Sequence, residues 1–193
     1  MEETRGNKIL VLLGSPRKNG NSAVLASRIA RGAQSEGAEV ETIYLNGLRI
    51  HPCQSCYACR KTGHQGCALD DDMQSIYPKL IQADVWVIAS PVYWFCMSAQ
   101  TKLFLDRCFA LLPYKPSVFA TKRIAVAMSY GDTDPFSSGC VNALRSFQDT
   151  IRYMGAKLAG LVYGSASEAG AIESNADLMA RAERLGRRLA AGN

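Results

Sequence analysis

Gly14-Ser-Pro-Arg-Lys-Asn-Gly-Asn-Ser22 follows the apolar run Ile9–Leu13 and opens a helical pattern over Ala23–Ala33. A strand, a loop of small residues and a helix start together turn backbone N–H groups toward an anion, and the helix dipole adds attraction. The stretch contains neither Gly-x-x-x-x-Gly-Lys-Ser/Thr nor Gly-x-Gly-x-x-Gly, so it is not a nucleoside-triphosphate loop or a dinucleotide fingerprint. Its hydroxyls at Ser15 and Ser22, amides at Asn19 and Asn21 and charge at Arg17 suit one terminal phosphate, which offers three acceptor oxygens. An ordinary strand–helix turn with Ser22 as N-cap would need only one such residue.

Outward from this loop, strand and helix alternate. Apolar runs of strand length occupy 8–13, 39–44, 84–89, 123–129 and 157–163, and helical patterns fall at about 22–36, 71–82, 99–111, 137–154 and 173–191. The near-continuous Val, Ile and Leu of the runs mark strands buried on both faces. Parallel neighbours need right-handed helical crossovers, which place helices on both faces of a sheet. The expectation is a flavodoxin-like three-layer α/β sandwich with a five-stranded parallel sheet, order 2-1-3-4-5. At 193 residues, with no composition break, residues 1–193 form one domain carrying a cysteine-rich loop at about 47–70.

In that order a ligand belongs beyond the carboxyl ends of strands 1 and 3, where the topology switches. Strand 3 is followed by Ser90-Pro-Val-Tyr-Trp-Phe-Cys96, which sets Tyr93, Trp94 and Phe95 side by side in a loop. Such a cluster suits a stacking surface for a flat ring, a subunit contact, or both. Strand 4 leads into Ser129-Tyr-Gly-Asp-Thr-Asp-Pro-Phe136, a polar loop expected on the same edge.

Composition narrows the classes further. No apolar run reaches the ~20 residues that cross a bilayer, and Met1–Arg5 is not an apolar leader, so the expectation is a cytoplasmic protein with no membrane partner. The net charge of +5 is modest. Arg181, Arg184, Arg187 and Arg188 share a helical face that reads as a solvated surface near a helix C-terminus, and no nucleic-acid partner is expected. Seven cysteines without an export signal do not suggest a disulfide framework. Cys96, Cys108 and Cys140 read as small buried hydrophobes, whereas Cys53, Cys56, Cys59 and Cys67 are gathered in one loop. Four loop thiols suit an iron–sulfur cluster, tetrahedral zinc or no metal at all. His51 and His64 bracket the loop and read first as exposed residues and second as metal ligands or groups tuning its charge, and Arg49, Arg60 and Lys61 make it basic. Asp70-Asp-Asp72 reads as acidic capping of the second helix rather than a metal triplet.

Gly14-Ser-Pro-Arg-x-x-Gly-Asn-Ser22, Pro91-Val-Tyr-Trp94 and Ser98-Ala-Gln-x-Lys-x-Phe-x-Asp-Arg107 together resemble the NAD(P)H-dependent FMN reductase family, and more narrowly its iron–sulfur flavoprotein branch. The resemblance runs from residue 8 to about 163. It implies that Ser15, Arg17, Gly20, Asn21 and Ser22 hold the FMN phosphate, that Pro91, Val92, Tyr93, Trp94 and Phe95 flank the isoalloxazine, and that Ser129 and Gly131 face its far edge. It also implies that Cys53, Cys56, Cys59 and Cys67, spaced by two, two and seven residues, hold a [4Fe-4S] cluster. The implied activity takes hydride from NAD(P)H onto FMN and passes electrons to a second acceptor. No protein nucleophile is then needed, in keeping with a chain whose only two histidines bracket the cysteine loop. The alternatives are a flavodoxin-type or ferredoxin-linked electron carrier and a thiol or metal redox sensor. The family further implies a homodimer or homotetramer.

Overall fold

The structure, a computed structural model, describes residues 7–61 and 66–192. His64 lies outside the described residues. Five parallel strands are present: β1 (Lys8–Leu13), β2 (Glu39–Tyr44), β3 (Val85–Tyr93), β5 (Arg123–Tyr130) and β6 (Lys157–Ser165). They lie in the order β2-β1-β3-β5-β6, which is the expected 2-1-3-4-5 arrangement counted over the parallel strands. A sixth strand was not foreseen: β4 (Cys96–Met97) folds back antiparallel onto the end of β3, pairing Tyr93 with Cys96 and Val92 with Met97.

The two faces of the sheet differ in side-chain size, and period-two alternation produces the difference. One face presents Leu10, Leu12, Trp86, Ile88, Ile124, Val126 and Met128 to α2 (Met73–Gln82), α3 (Ala99–Arg107) and α4 (Cys140–Met154). Trp86 sits edge-on to Phe104 and Phe119 there, with ring centroids 6.3 and 5.6 Å away. The other face presents Ile9, Val11, Val87, Ala89, Ala125 and Ala127 to α1 (Asn21–Gln34) and α5 (Ala176–Ala190). Its smaller residues bring α1 and α5 close to the sheet and to each other.

Helix bounds are tighter than the hydrophobic pattern predicts. α4 begins at Cys140, because Gly139 at φ 74° is a left-handed break, and α5 begins at Ala176, where the Asn175 side chain accepts the Leu178 N–H. The third helical pattern ends its α-helical part at Arg107 and continues as a 3-10 turn over Cys108–Leu111. No helix among the described residues is long and apolar enough to cross a membrane. Cys108 and Cys140 are buried as expected, while Cys96 is only half-buried in the new hairpin. Burial pushes the Cys140 thiol up to about 11 and the Cys108 thiol higher still.

Candidate functional site

The loop after β1 is held from several sides. Gly14 donates its N–H to Ala89 O at 2.8 Å, and its carbonyl accepts from Ser98 Oγ at 2.7 Å. Only glycine fits there, since a Cβ would stand 1.9 Å from Thr101 Oγ1. Ser98 also donates its N–H to Ser90 Oγ at 3.0 Å and caps α3, so one buried serine ties the loops after β1 and β3. Pro16 O accepts from the Tyr44 hydroxyl at 2.6 Å. Ser90, Ser98 and Thr101 are buried polar residues whose role no local sequence signal announced.

At the start of α1 the helix is capped by Gly20 through its extended backbone (φ −70°, ψ 160°), and no side chain caps the first turn. Ser22 is therefore not the N-cap; it lies inside the helix. Its hydroxyl is 1% exposed and has no hydrogen-bond partner among the described residues. A buried donor left unpaired costs about 1–3 kcal/mol, so this position suits a ligand acceptor. Ser15 is buried and braces the loop by accepting the Arg17 N–H at 3.0 Å, while Arg17 itself is exposed.

Asn21 departs from the sequence expectation. Its amide donates to Ala166 O and Glu168 O, both at 2.9 Å, and its oxygen accepts the Ile172 N–H at 3.2 Å. All of its side-chain capacity bar one lone pair is engaged in joining α1 to the segment after β6, leaving its backbone N–H for an anion.

The aromatic stretch is a two-residue hairpin rather than an open loop. Pro91, Val92 and Tyr93 complete β3, with Pro91 in register with Ser129 of β5. Trp94 (φ 47°) and Phe95 (φ 61°) both occupy the left-handed region that such a tight turn demands. Bulky aromatics rarely adopt it, and the strain sits at a site. Trp94 is 93% exposed, and the Phe95 backbone packs on Gly139, where an added Cβ would come within 2.6 Å of Phe95 Cα. Ser129 and Tyr130 are still in β5 and buried; the loop itself begins at Gly131. Val92, Tyr93, Trp94, Phe95, Tyr130 and Gly131 surround a cleft of about 600 Å³, so two of the three predicted loops share one cavity. The loop after β5 is tied back through Ser165 Oγ, which donates to Asp132 O.

The cysteine loop forms a second centre. Cys53, Cys56, Cys59 and Cys67 line one cavity of about 450 Å³ together with Arg107, Phe109 and Met154. All seven cysteines are unbridged. Ser55 (φ 50°) and Tyr57 (φ 55°) are left-handed on either side of Cys56. The Tyr57 ring meets Phe109 edge-on at 6.2 Å, and the Arg60 guanidinium lies over Phe109 at 5.4 Å. Burial, and then the charge of Cys67, push the Cys59 thiol up. Among the described residues no three His, Cys, Asp or Glu side chains converge closely enough to hold a single ion. The thiol chemistry and the shared cavity suit a cluster.

Asp71 and Arg107 anchor this loop. Both side chains are fully buried, and Arg107 Nη2 donates to Asp71 Oδ1 at 3.0 Å. Burial alone would raise the Asp71 carboxyl, but the Arg107 hydrogen bonds and the N–H groups of His51 and Met73 outweigh it and hold it below its ordinary value. The acidic run is thus less a helix cap than one half of a buried ion pair, although Asp71 Oδ1 does accept the Met73 N–H at 3.1 Å. Asp72, at the N-cap position, makes no side-chain cap and instead accepts the Arg49 N–H at 2.6 Å. His51 has an exposed ring, and both of its backbone polar groups are taken up by this pair.

The C-terminal arginines are exposed as expected, and Arg187 pairs with Glu183 at 2.8 Å.

The sequence profile of the NADPH-dependent FMN reductase family matches residues 7–169. An iron–sulfur flavoprotein of Methanosarcina thermophila is 32% identical over 169 residues, covering 87% of this chain and 83% of that one. The YwqN protein of Bacillus subtilis is 29% identical over 92% of this chain and 96% of its own. The solved Trp repressor binding protein from Bacillus subtilis superimposes with a TM-score of 0.69 at 28% identity, over 92% of this chain and 99% of that one. The profile covers all three loops of the switch point and the cysteine loop between them, and on that match the chain belongs to the NADPH-dependent FMN reductase family and is an NAD(P)H-dependent FMN oxidoreductase of flavodoxin-like fold.

Proposed function

We propose that the FMN phosphate sits on the open first turn of α1, held by the N–H groups there, by Ser15 and Ser22 and by the Arg17 charge. The single observation that carries this reading is Ser22 Oγ, a buried hydroxyl with no partner among the described residues, at a helix start that no side chain caps. The isoalloxazine lies in the cleft lined by Val92–Phe95 and Tyr130–Gly131, where Tyr93 and Trp94 orient it and exclude water from one face; Pro91 and Ser129, in register in β3 and β5, are not among the residues lining that cleft. Bound FMN supplies the exchange between a two-electron nicotinamide donor and a further acceptor, and the chain supplies position and field.

The same reading assigns Cys53, Cys56, Cys59 and Cys67 to a [4Fe-4S] cluster that passes single electrons onward. Their shared cavity and the iron–sulfur flavoprotein among the relatives support it. Exposed Trp94 and Phe95 at the cleft, with exposed Phe136 on the loop after β5, support a homodimer or homotetramer formed over this edge of a cytoplasmic protein. The acceptor is a small oxidant or a partner protein that reaches the cleft or the cysteine loop.

One anaerobic preparation tests the whole reading through its FMN, iron and sulfide content and its oxidation of NADH and NADPH. Stoichiometric FMN and nicotinamide-dependent turnover are expected, with iron and sulfide that disappear in Cys56→Ser. Colourless protein that cannot be loaded with FMN would sink the phosphate assignment. Zinc without iron would replace the cluster. FMN without turnover would leave an electron carrier.

A further inference from the structure

We propose that the buried Arg107–Asp71 pair is the positioning device of the cysteine loop and that its two charges bias the group the loop holds in opposite directions. The second half of this proposal rests on the cluster reading above; the first half does not.

Burying two charges is expensive, and an apolar pair of similar size often serves stability as well. What distinguishes this pair is what it grips. Arg107 closes α3 and is 1% exposed. Its Nη1 donates to His51 O at 2.7 Å, while Asp71 Oδ2 accepts the His51 N–H at 2.8 Å. One residue of the loop, two before Cys53, is thus held through both of its backbone polar groups. Asp71 stands four residues after Cys67, so the pair closes the loop where it leaves as well as where it begins. The Tyr77 hydroxyl in turn donates to Arg107 O at 3.0 Å, tying α2 to the end of α3. Further out, the Gln74 amide donates to Cys67 O and Leu69 O, both at 2.7 Å.

Arg107 is also a wall of the cavity that all four loop cysteines line. Its Nε is buried and has no partner among the described residues, so the guanidinium is not fully satisfied by Asp71 and His51. A fixed cation beside an anionic thiolate-bound cluster favours the more negative, reduced form, and a fixed carboxylate opposes it. For positioning, arginine's planar fork bridges a carboxylate and a carbonyl at once, which a lysine ammonium does not reproduce, whereas lysine does keep the positive charge.

The test uses four variants of the full chain, Arg107→Gln, Asp71→Asn, the double Arg107→Gln/Asp71→Asn, and Arg107→Lys. Reduction potentials of the iron-loaded proteins are read by EPR-monitored titration. Arg107→Gln is expected to shift the potential down and Asp71→Asn up, with the double variant returning toward wild type and Arg107→Lys staying near it. A role confined to packing would move both single variants the same way, and that result, or no shift, would overturn the charge assignment. Limited proteolysis of the metal-free proteins reads the positioning half. Cleavage between residues 49 and 72 is expected at least ~10-fold faster in the single variants, because loss of one partner raises the opened population. Unchanged cleavage would overturn it. If wild-type protein takes up no iron, the cluster reading falls and the charge assignment falls with it, while the proteolysis still decides the positioning role.

Discussion

The loop after β1 and the cysteine loop are the two proposed binding loops, and they are built on opposite plans. The first is short, runs from one strand directly into a helix, and is fixed along its length by neutral hydrogen bonds from Tyr44, Ser98 and Gly14. The second is long and is clamped chiefly at its ends by a buried ion pair, with its middle resting on one aromatic ring, Phe109. A preorganised loop can meet its ligand with little ordering, whereas an end-clamped loop leaves ordering to be completed by whatever its side chains bind. The unpaired Ser22 hydroxyl belongs to the first plan, and the left-handed residues flanking Cys56 belong to the second.

The sharpest way to break this comparison is to unclamp the cysteine loop. Asp71→Ala leaves Arg107 buried and unpaired and is expected to lower unfolding free energy by about 3–5 kcal/mol in urea melts. A loss under ~1 kcal/mol would mean that the pair is not an anchor. Acid offers the same test without mutation. The Asp71 carboxyl is held below its ordinary value in the folded protein, so its stabilisation is complete above the unfolded carboxylate range near ~4 and fades as pH falls through the lower, folded value. Asp71→Asn should flatten that acid limb.

Asn21→Ala removes three hydrogen bonds and should cost about 2–3 kcal/mol, with FMN binding weakened although both amide donors are taken up within the protein. Replacing Trp94-Phe95 by Asn-Gly relieves two left-handed aromatics and should raise thermal stability by about 1 kcal/mol while weakening FMN binding. Equal FMN affinity in that variant would remove the aromatic turn from the ring site. Ser22→Ala gives the smallest and most diagnostic change. The FMN-free protein should be unchanged or stabilised by up to ~1 kcal/mol, and FMN affinity should fall about tenfold, measured by fluorescence titration. A hydroxyl serving only the fold would instead lower stability and leave affinity alone.

Much of this was legible in the sequence, because burial on both sheet faces writes itself as near-continuous apolar runs. Leu10 and Ile9 belong to different cores, yet both must be apolar, and that rule yielded the five strands; their order followed from the strand count and the glycine-bearing loop after the first strand. The loop proposed to hold the phosphate stood out because its candidate donors are local. Three features were not. β4 and its turn carry none of the Asn-Gly chemistry that announces a tight hairpin, so Tyr93–Phe95 read as open loop. Asp71 and Arg107 are 36 residues apart, and an aspartate before a helix reads as a cap unless its distant partner is known. The tie from Asn21 to the segment after β6 was not legible either, because its partners are not local at all.

Those partners give the proposed phosphate site an order of assembly. Asn21 reaches across 145, 147 and 151 positions to Ala166, Glu168 and Ile172. During synthesis the ribosome therefore delivers the phosphate loop near the beginning and the groups that lock it near the end. A nascent chain stalled before residue 166 carries the whole nine-residue motif and lacks the finished site. The start of α1 is thereby left without its side-chain locks until the last strand of the sheet has been made.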